Sequence, residues 1–237
     1  MAVIGGLARC AGSVAGRLLD LALPSDCAGC AREGDALCGA CVTALDVRAD
    51  DPPGVAIGLP GDIPAPLAQV EWCTNFTGVT RRALHRLKYS GDRRIAEPLG
   101  LAVARRWARA GAGGDVLVPV PASRDRVRDR GYDQAALIAR VAGAHLGLPV
   151  RADLLERSRY TAAQFDLDRT ARAGNVAGAF RLRAGVLPPR GAGPDGAPWI
   201  VLVDDVLTTG STLAACATVL LEAGALAVSA VTVARER

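Results

Sequence analysis

Apolar positions along the chain fall in short runs separated by Gly, Pro and charged clusters, and the period within each run predicts an element. Residues 70–76 read as a strand, and residues 79–89 as a helix with Val79, Leu84 and Leu87 on one side. Residues 116–120 and 200–203 are aliphatic runs of the kind that fills a strand covered on both faces of a parallel sheet. Residues 132–146 predict a helix, 151–155 a strand, 170–176 a short helix and 227–233 a closing strand. From Ser211 a further helix runs through Leu213, Cys216, Ala217 and Leu220. This alternation implies an α/β fold: a mostly parallel sheet with flanking helices, whose ligands gather beyond the carboxyl ends of the strands. Residues 1–23 read as a weakly amphipathic helix and residues 24–46 as a cysteine-rich segment. We therefore expect an N-terminal unit over 1–49, a Pro/Gly-rich connector over 50–66 and the sheet domain over 67–237. Residues 183–198 form a Gly/Pro-rich insert, expected to be a mobile surface loop without a catalytic role.

Composition narrows the class. A chain of 237 residues suits one medium domain with a small appendage. Half the residues are apolar but only 4% are aromatic, so the core is expected to be aliphatic and finely packed. The longest early apolar stretch is broken by Arg9, Arg17 and Asp20, short of the roughly 20 apolar residues a bilayer crossing needs. It also lacks a basic start and a clear cleavage site, so a cytoplasmic protein without a membrane partner is expected.

Charge is uneven. Residues 81–130 carry thirteen Lys or Arg against five Asp or Glu, a net +8, while the whole chain is only +4. Such a field suits a polyanionic phosphate substrate or a groove for single-stranded nucleic acid. Arg81, Arg82, Arg105, Arg106 and Arg109 fit solvated helix faces equally well. Lys88 stands apart as the one lysine among twenty-seven arginines, which suggests a position that wants a compact ammonium.

The densest chemistry lies in Trp199 to Leu213, WIVLVDDVLTTGSTL. A buried strand runs into two adjacent carboxylates and then into a hydroxyl-rich turn that opens a helix. Thr208, Thr209, Gly210, Ser211 and Thr212 would surround the helix start, where unpaired N–H groups and the dipole favour a phosphate. Asp204 and Asp205 would repel that phosphate; their natural task is to accept from sugar hydroxyls and help a divalent cation approach. The second signal is Cys27-x-x-Cys30 followed by Cys38-x-x-Cys41. Two such pairs let four thiolates converge on one tetrahedral Zn2+ with no open position, a structural site, with Gly29 and Gly39 relaxing the turns. Two disulfides are the rival arrangement. Cys10, Cys73 and Cys216 read as small core residues. Neither His85 nor His145 stands out as a catalytic base.

The run VLVDDVLTTGST resembles the phosphoribosyl-pyrophosphate (PRPP) loop of type I phosphoribosyltransferases. The resemblance implies that the acidic pair holds the ribose 2′ and 3′ hydroxyls, with Mg2+, and that the loop holds the 5′-phosphate. Joined to the four-cysteine knuckle, it resembles the ComF family, associated with DNA uptake in competent bacteria, over residues 18–235. LHRLKYSGD at 84–92, VPVPASRDRVRDRGYDQ at 118–134 and the segment from Arg159 to Asn175 carry the likeness further. In these terms Lys88 would lie near the bound phosphates, and Pro121, Ser123 and Arg124 would hold the pyrophosphate end. Arg159, Thr161, Gln164, Arg169 and Arg172 would close over it as a flexible catalytic loop. One departure is Asp133, where the family usually has Asn. The resemblance implies either transfer of the phosphoribosyl group to a nitrogen nucleophile or a non-catalytic DNA-uptake role, with single-stranded DNA and a helicase partner docked through the knuckle.

Overall fold

The computed structural model describes residues 26–53, 64–157, 178–183, 187 and 196–236. In chain order these form helix α1 (Gly39–Val42), strand β1 (Val70–Asn75), α2 (Gly78–Tyr89), α3 (Ala96–Ala110), β2 (Val116–Pro119), α4 (Arg124–Arg130), α5 (Gln134–Leu146), β3 (Leu155–Arg157), β4 (Phe180–Leu182), β5 (Trp199–Leu207), α6 (Ser211–Glu222) and β6 (Ala227–Arg235). The central sheet has the order β1-β6-β5-β2 with every pairing parallel. Strands β3 and β4 form a separate antiparallel pair.

The sheet is covered on both faces, as its apolar strands require. Side chains alternate along β5: Val201 and Val203 join α2, α3 and α5 in one core, and Ile200 and Leu202 join α6, Leu155 and Phe180 in the other. All four are fully buried. The cysteine knuckle packs into the first core through Cys27, Leu37, Cys41 and Leu45.

One expectation needs correction, and two helices were not delimited in the sequence. The strand expected at 151–155 is displaced: only Val150 bridges to Leu117, Ala152 and Asp153 turn, and the strand itself is Leu155–Arg157. Arg151 and Asp153 pair with each other at the turn, which favours the bend over an extended run. Helix α3 went unread because Pro98 interrupts its apolar pattern. That proline falls within the first turn, where no intrahelical N–H bond is lost. Helix α4 was hidden by alternating Arg and Asp, and begins with the Ser123 Oγ accepting from Arg126 N. The helices expected at 1–23 and 170–176, and most of the insert at 183–198, lie outside the described residues. Among the described residues, no helix is long and apolar enough to cross a membrane.

Candidate functional site

Strand β5 runs four residues beyond the expected apolar run, so the acidic pair lies within it. Pairing with β2 ends at Val203, whereas pairing with β6 continues through Asp204, Val206 and Leu207. Asp204 and Asp205 therefore stand where the sheet opens on the β2 side, at the carboxyl ends of the strands. Their surroundings form a cavity of about 340 Å3 bounded by Lys88, the 120–122 loop, Asp133, Gln134, Arg157 and Thr212.

Two negative charges one residue apart need compensation, and the chain's single lysine supplies it. Lys88 Nζ lies 2.6 Å from Asp205 Oδ2, reaching across from the last turn of α2. Asp204 Oδ1 accepts from the Asp205 N–H at 2.8 Å. Burial, and next the Asp205 charge, push the Asp204 carboxyl well above its usual range, against that hydrogen bond and Lys88.

The turn that follows is built around Gly210. It takes the left-handed conformation at φ 79°, and a Cβ there would lie 2.6 Å from Pro64 Cγ. Its lack of a side chain thus answers to backbone geometry and to Pro64 packing. Gly210 leaves α6 without a side-chain cap, and Thr209 Oγ1 bonds the Ser211 hydroxyl at 2.9 Å. Thr208 and Thr209 are exposed beside the helix start, with Ser211 and Thr212 partly so.

The opposite wall is tied together by Asp133. One carboxylate oxygen accepts from Ala122 N at 2.8 Å and the other from Ala136 N at 3.1 Å, joining the Pro121–Ser123 loop to the start of α5. Both bonds need acceptors only, so the amide NH2 usual in the family is not missed by either. The Arg124 guanidinium pairs with Glu156 at 3.1 Å, which also holds Arg181. Arg126 and Arg130 line the cavity; in the sequence they, with Arg128, fit a phosphate-holding run and a salt-bridged surface segment equally well, and Arg157, which also lines it, was not singled out. Only helix geometry distinguishes Arg126 and Arg130 from their neighbours. Arg159, Thr161, Gln164, Arg169 and Arg172 lie outside the described residues.

The second candidate site is the knuckle. The four sulfurs of Cys27, Cys30, Cys38 and Cys41 lie within 4.8 Å of one another, a set that could hold a metal ion. Cys30 and Cys38 Sγ are 3.7 Å apart, close to the ~3.8 Å edge of a tetrahedron with 2.3 Å metal–sulfur bonds and far from the ~2.05 Å of a disulfide. The N–H groups of Gly29 and Cys38 both point at Cys27 Sγ from 3.3 Å. Burial raises the Cys27 thiol, but N–H donors from Cys38, Cys30 and Gly29 together bring it down to about 6. Burial, with the neighbouring thiols, pushes Cys41 up to about 12. Gly29 is needed for closeness more than for turn freedom, since a Cβ would lie 2.5 Å from Cys41 Sγ; Gly39 has open space around it. Positive φ occurs instead at Ala31 (59°) and Gly34 (123°).

Much of the basic segment is spent on holding this knuckle. Arg82 donates twice to Gly29 O, Arg86 reaches Asp26, and Arg105 makes a forked contact with Asp46. Arg106 is 1% exposed and pairs with the buried Glu71 at 2.5 Å while donating to the Arg48 and Asp51 carbonyls. The solvated-face reading of Arg106 is thus overturned: the fold needs a charge there to answer Glu71. Cys73 and Cys216 are buried core residues, and Cys10 lies outside the described residues. His85 and His145 are exposed, His145 in the last turn of α5.

No protein-family model matches the chain. The DNA utilization protein YhgH of Escherichia coli (strain K12) is 33% identical over 170 residues, which are 70% of this chain and 71% of that protein. Competence protein F of Haemophilus influenzae is 34% identical over 126 residues, 52% of this chain and 51% of that one. Competence protein ComFC of Streptococcus pneumoniae is 28% identical over 165 residues, 65% and 67% of the two chains. Among solved structures, the glutamine PRPP amidotransferase of B. subtilis, complexed with ADP and GMP, is 22% identical with a TM-score of 0.38, covering 58% of this chain and 26% of that one. With a parallel sheet carrying an acidic pair at its open end, a four-cysteine cluster packed on its helices, and a relative one-third identical over most of both lengths, this chain belongs to the ComF family.

Proposed function

We propose that the chain binds PRPP together with Mg2+ and transfers its phosphoribosyl group to a nitrogen nucleophile. The observation that carries this reading is the juxtaposition at the end of β5: two carboxylates, one ammonium and an uncapped helix start around one cavity. Asp204 and Asp205 accept from the ribose hydroxyls, and the N–H groups and hydroxyls of 208–212 take the 5′-phosphate. Asp204 and Asp205 are oxygen donors of the kind Mg2+ takes and would hold it, with Lys88 giving up or sharing Asp205 when the ion binds. Mg2+, when bound, would supply charge neutralisation on the pyrophosphate. The Pro121–Arg124 loop, fixed through Asp133, positions that pyrophosphate. Arg159, Thr161, Gln164, Arg169 and Arg172 are assigned to its closing loop by family resemblance. In the transfer, the nucleophile's lone pair forms a bond to C1 while the C1–O bond breaks and pyrophosphate leaves with the electron pair; the acceptor nitrogen then loses its proton. Preorganised cations around the leaving group favour that step.

Zinc is the metal we assign to Cys27, Cys30, Cys38 and Cys41, because four thiolates at these separations suit its tetrahedral, closed coordination. We further assign residues 1–49, 50–66 and 67–237 to knuckle, connector and transferase units, and the protein to the cytoplasm.

The test is a thermal-shift titration of PRPP with Mg2+ into wild type and into the Asp204→Ala, Asp205→Ala double variant. Stabilisation of wild type alone is expected. Absence of any shift in wild type would overturn the reading.

A second reading, a DNA-handling factor, is favoured by the names of the relatives, "DNA utilization protein" and "competence protein". Binding of a single-stranded oligonucleotide that weakens steeply with salt would support it. Arg82 and Arg86 are poor choices for neutralisation in that assay, since both hold the knuckle. A helicase docked on the knuckle would have to use the surface turned away from α2 and α3.

A further inference from the structure

Beside the acidic-pair cavity lies a second one of about 500 Å3, and the two share Lys88, Tyr89, Arg126 and Arg130. Tyr89, at the end of α2, offers a ring for stacking: it is 67% exposed, in contrast to the buried Trp72 and Trp107.

The arginines of α4 divide by face. Arg128 pairs with Asp125 at 3.0 Å on the outer surface, and Arg124 pairs with Glu156. Arg126 and Arg130, four residues apart and therefore on one side of the helix, both face the second cavity. Neither makes an ion pair with a carboxylate among the described residues. The Arg130 guanidinium lies 5.1 Å from the Tyr89 ring centre, held there by a cation–π contact. Asp129 also lines the cavity, and its carboxylate has only a 3.9 Å approach to Arg128, so it retains acceptor capacity.

We propose that this second cavity binds a nucleobase that carries a phosphate. The base stacks on Tyr89, taking the place over the ring that Arg130 holds; Arg130 and Arg126 move onto the phosphate; and Asp129 accepts from a base N–H. An inorganic phosphate would leave Tyr89 unused, and a purely apolar ring would leave the two arginines unused. Only a ligand with both groups engages the whole set. The proposal deepens the phosphoribosyl reading by naming the class of molecule brought beside the acidic pair. It rests on that reading for the chemistry, while the binding stands independently.

The probes are 2-aminopurine riboside 5′-monophosphate and a short single strand carrying one 2-aminopurine, both of which lose fluorescence on stacking and keep an N–H for Asp129. They are titrated into the full chain, with PRPP thermal shifts read on the same samples. Saturable quenching is expected in wild type, retained in Tyr89→Phe and weakened about tenfold in Tyr89→Ala. Arg126→Ser should weaken phosphate-bearing probes and leave binding of the phosphate-free 2-aminopurine riboside nearly unchanged. Quenching by the mononucleotide identifies a free nucleotide as the occupant, and quenching by the strand alone identifies nucleic acid. Absence of quenching in wild type, or equal quenching in folded Tyr89→Ala, overturns the proposal. A missing PRPP shift alongside Tyr89-dependent quenching counts against the phosphoribosyl reading and leaves this second site supported.

Discussion

Arginine does opposite work on two sides of this molecule. Toward the knuckle, Arg82, Arg86, Arg105 and Arg106 have their donors matched by carbonyls and carboxylates. Toward the cavities, Arg126 and Arg130 lack carboxylate partners among the described residues, while Asp204 is held uncomfortably beside Asp205. The difference separates structure from function more sharply than charge count does. A matched, desolvated cation belongs to the fold, whereas an unmatched one facing a cavity is available to a ligand.

The largest effect is expected where the match is most complete. Arg106→Met removes the nearest cation from the buried Glu71, leaving Arg48 at 3.9 Å and the Gln69 amide as partners, and should cost about 3 kcal/mol in urea unfolding. Replacing both partners, Arg106→Met with Glu71→Leu, should recover much of that loss; an equal or larger loss would show that the carbonyl contacts to residues 48 and 51 dominate instead.

Asp204→Asn should act in the opposite direction, raising the stability of the ligand-free protein by on the order of 1 kcal/mol while abolishing PRPP stabilisation. Its carboxyl has a higher pKa folded than unfolded, so the folded state binds more protons and stability falls as pH rises through the raised value. The gain from Asn should therefore grow with pH and vanish below the ordinary carboxylate range, near pH 4. A pH-independent gain in thermal melts would count against the charge origin.

Asp133→Asn should cost about 1 kcal/mol, because one amide oxygen replaces two carboxylate oxygens and either Ala122 N or Ala136 N loses its partner. Its effect on PRPP affinity, read by calorimetry, measures how far the 121–123 loop depends on that tie. The smallest effect is expected at Arg128→Ala, within about 0.5 kcal/mol, since Arg128 and Asp125 are both 76% exposed.

Legibility in the sequence followed the range of the cause. The strands at 70–75, 116–119 and 227–235 and the helices at 78–89, 134–146 and 211–222 were readable because apolar periodicity is a local consequence of being covered. Helix α3 was lost to one proline whose harmlessness depends on its place in the first turn, and α4 to an alternation that local pattern could not assign. The acidic pair, the hydroxyl turn and the cysteine quartet were legible because each ligand set lies within a few residues, so spacing alone brings its atoms together.

What the sequence determined by itself was therefore the parallel α/β class, the two short-range motifs and the presence of one exceptional lysine. Tertiary structure alone decided what that lysine meets, since Lys88 and Asp205 are far apart in the chain and become neighbours only when α2 packs across β5. It likewise decided which arginines are spent and which face a cavity. A guanidinium looks the same in sequence wherever it stands, and its role is set by partners that the fold brings from elsewhere.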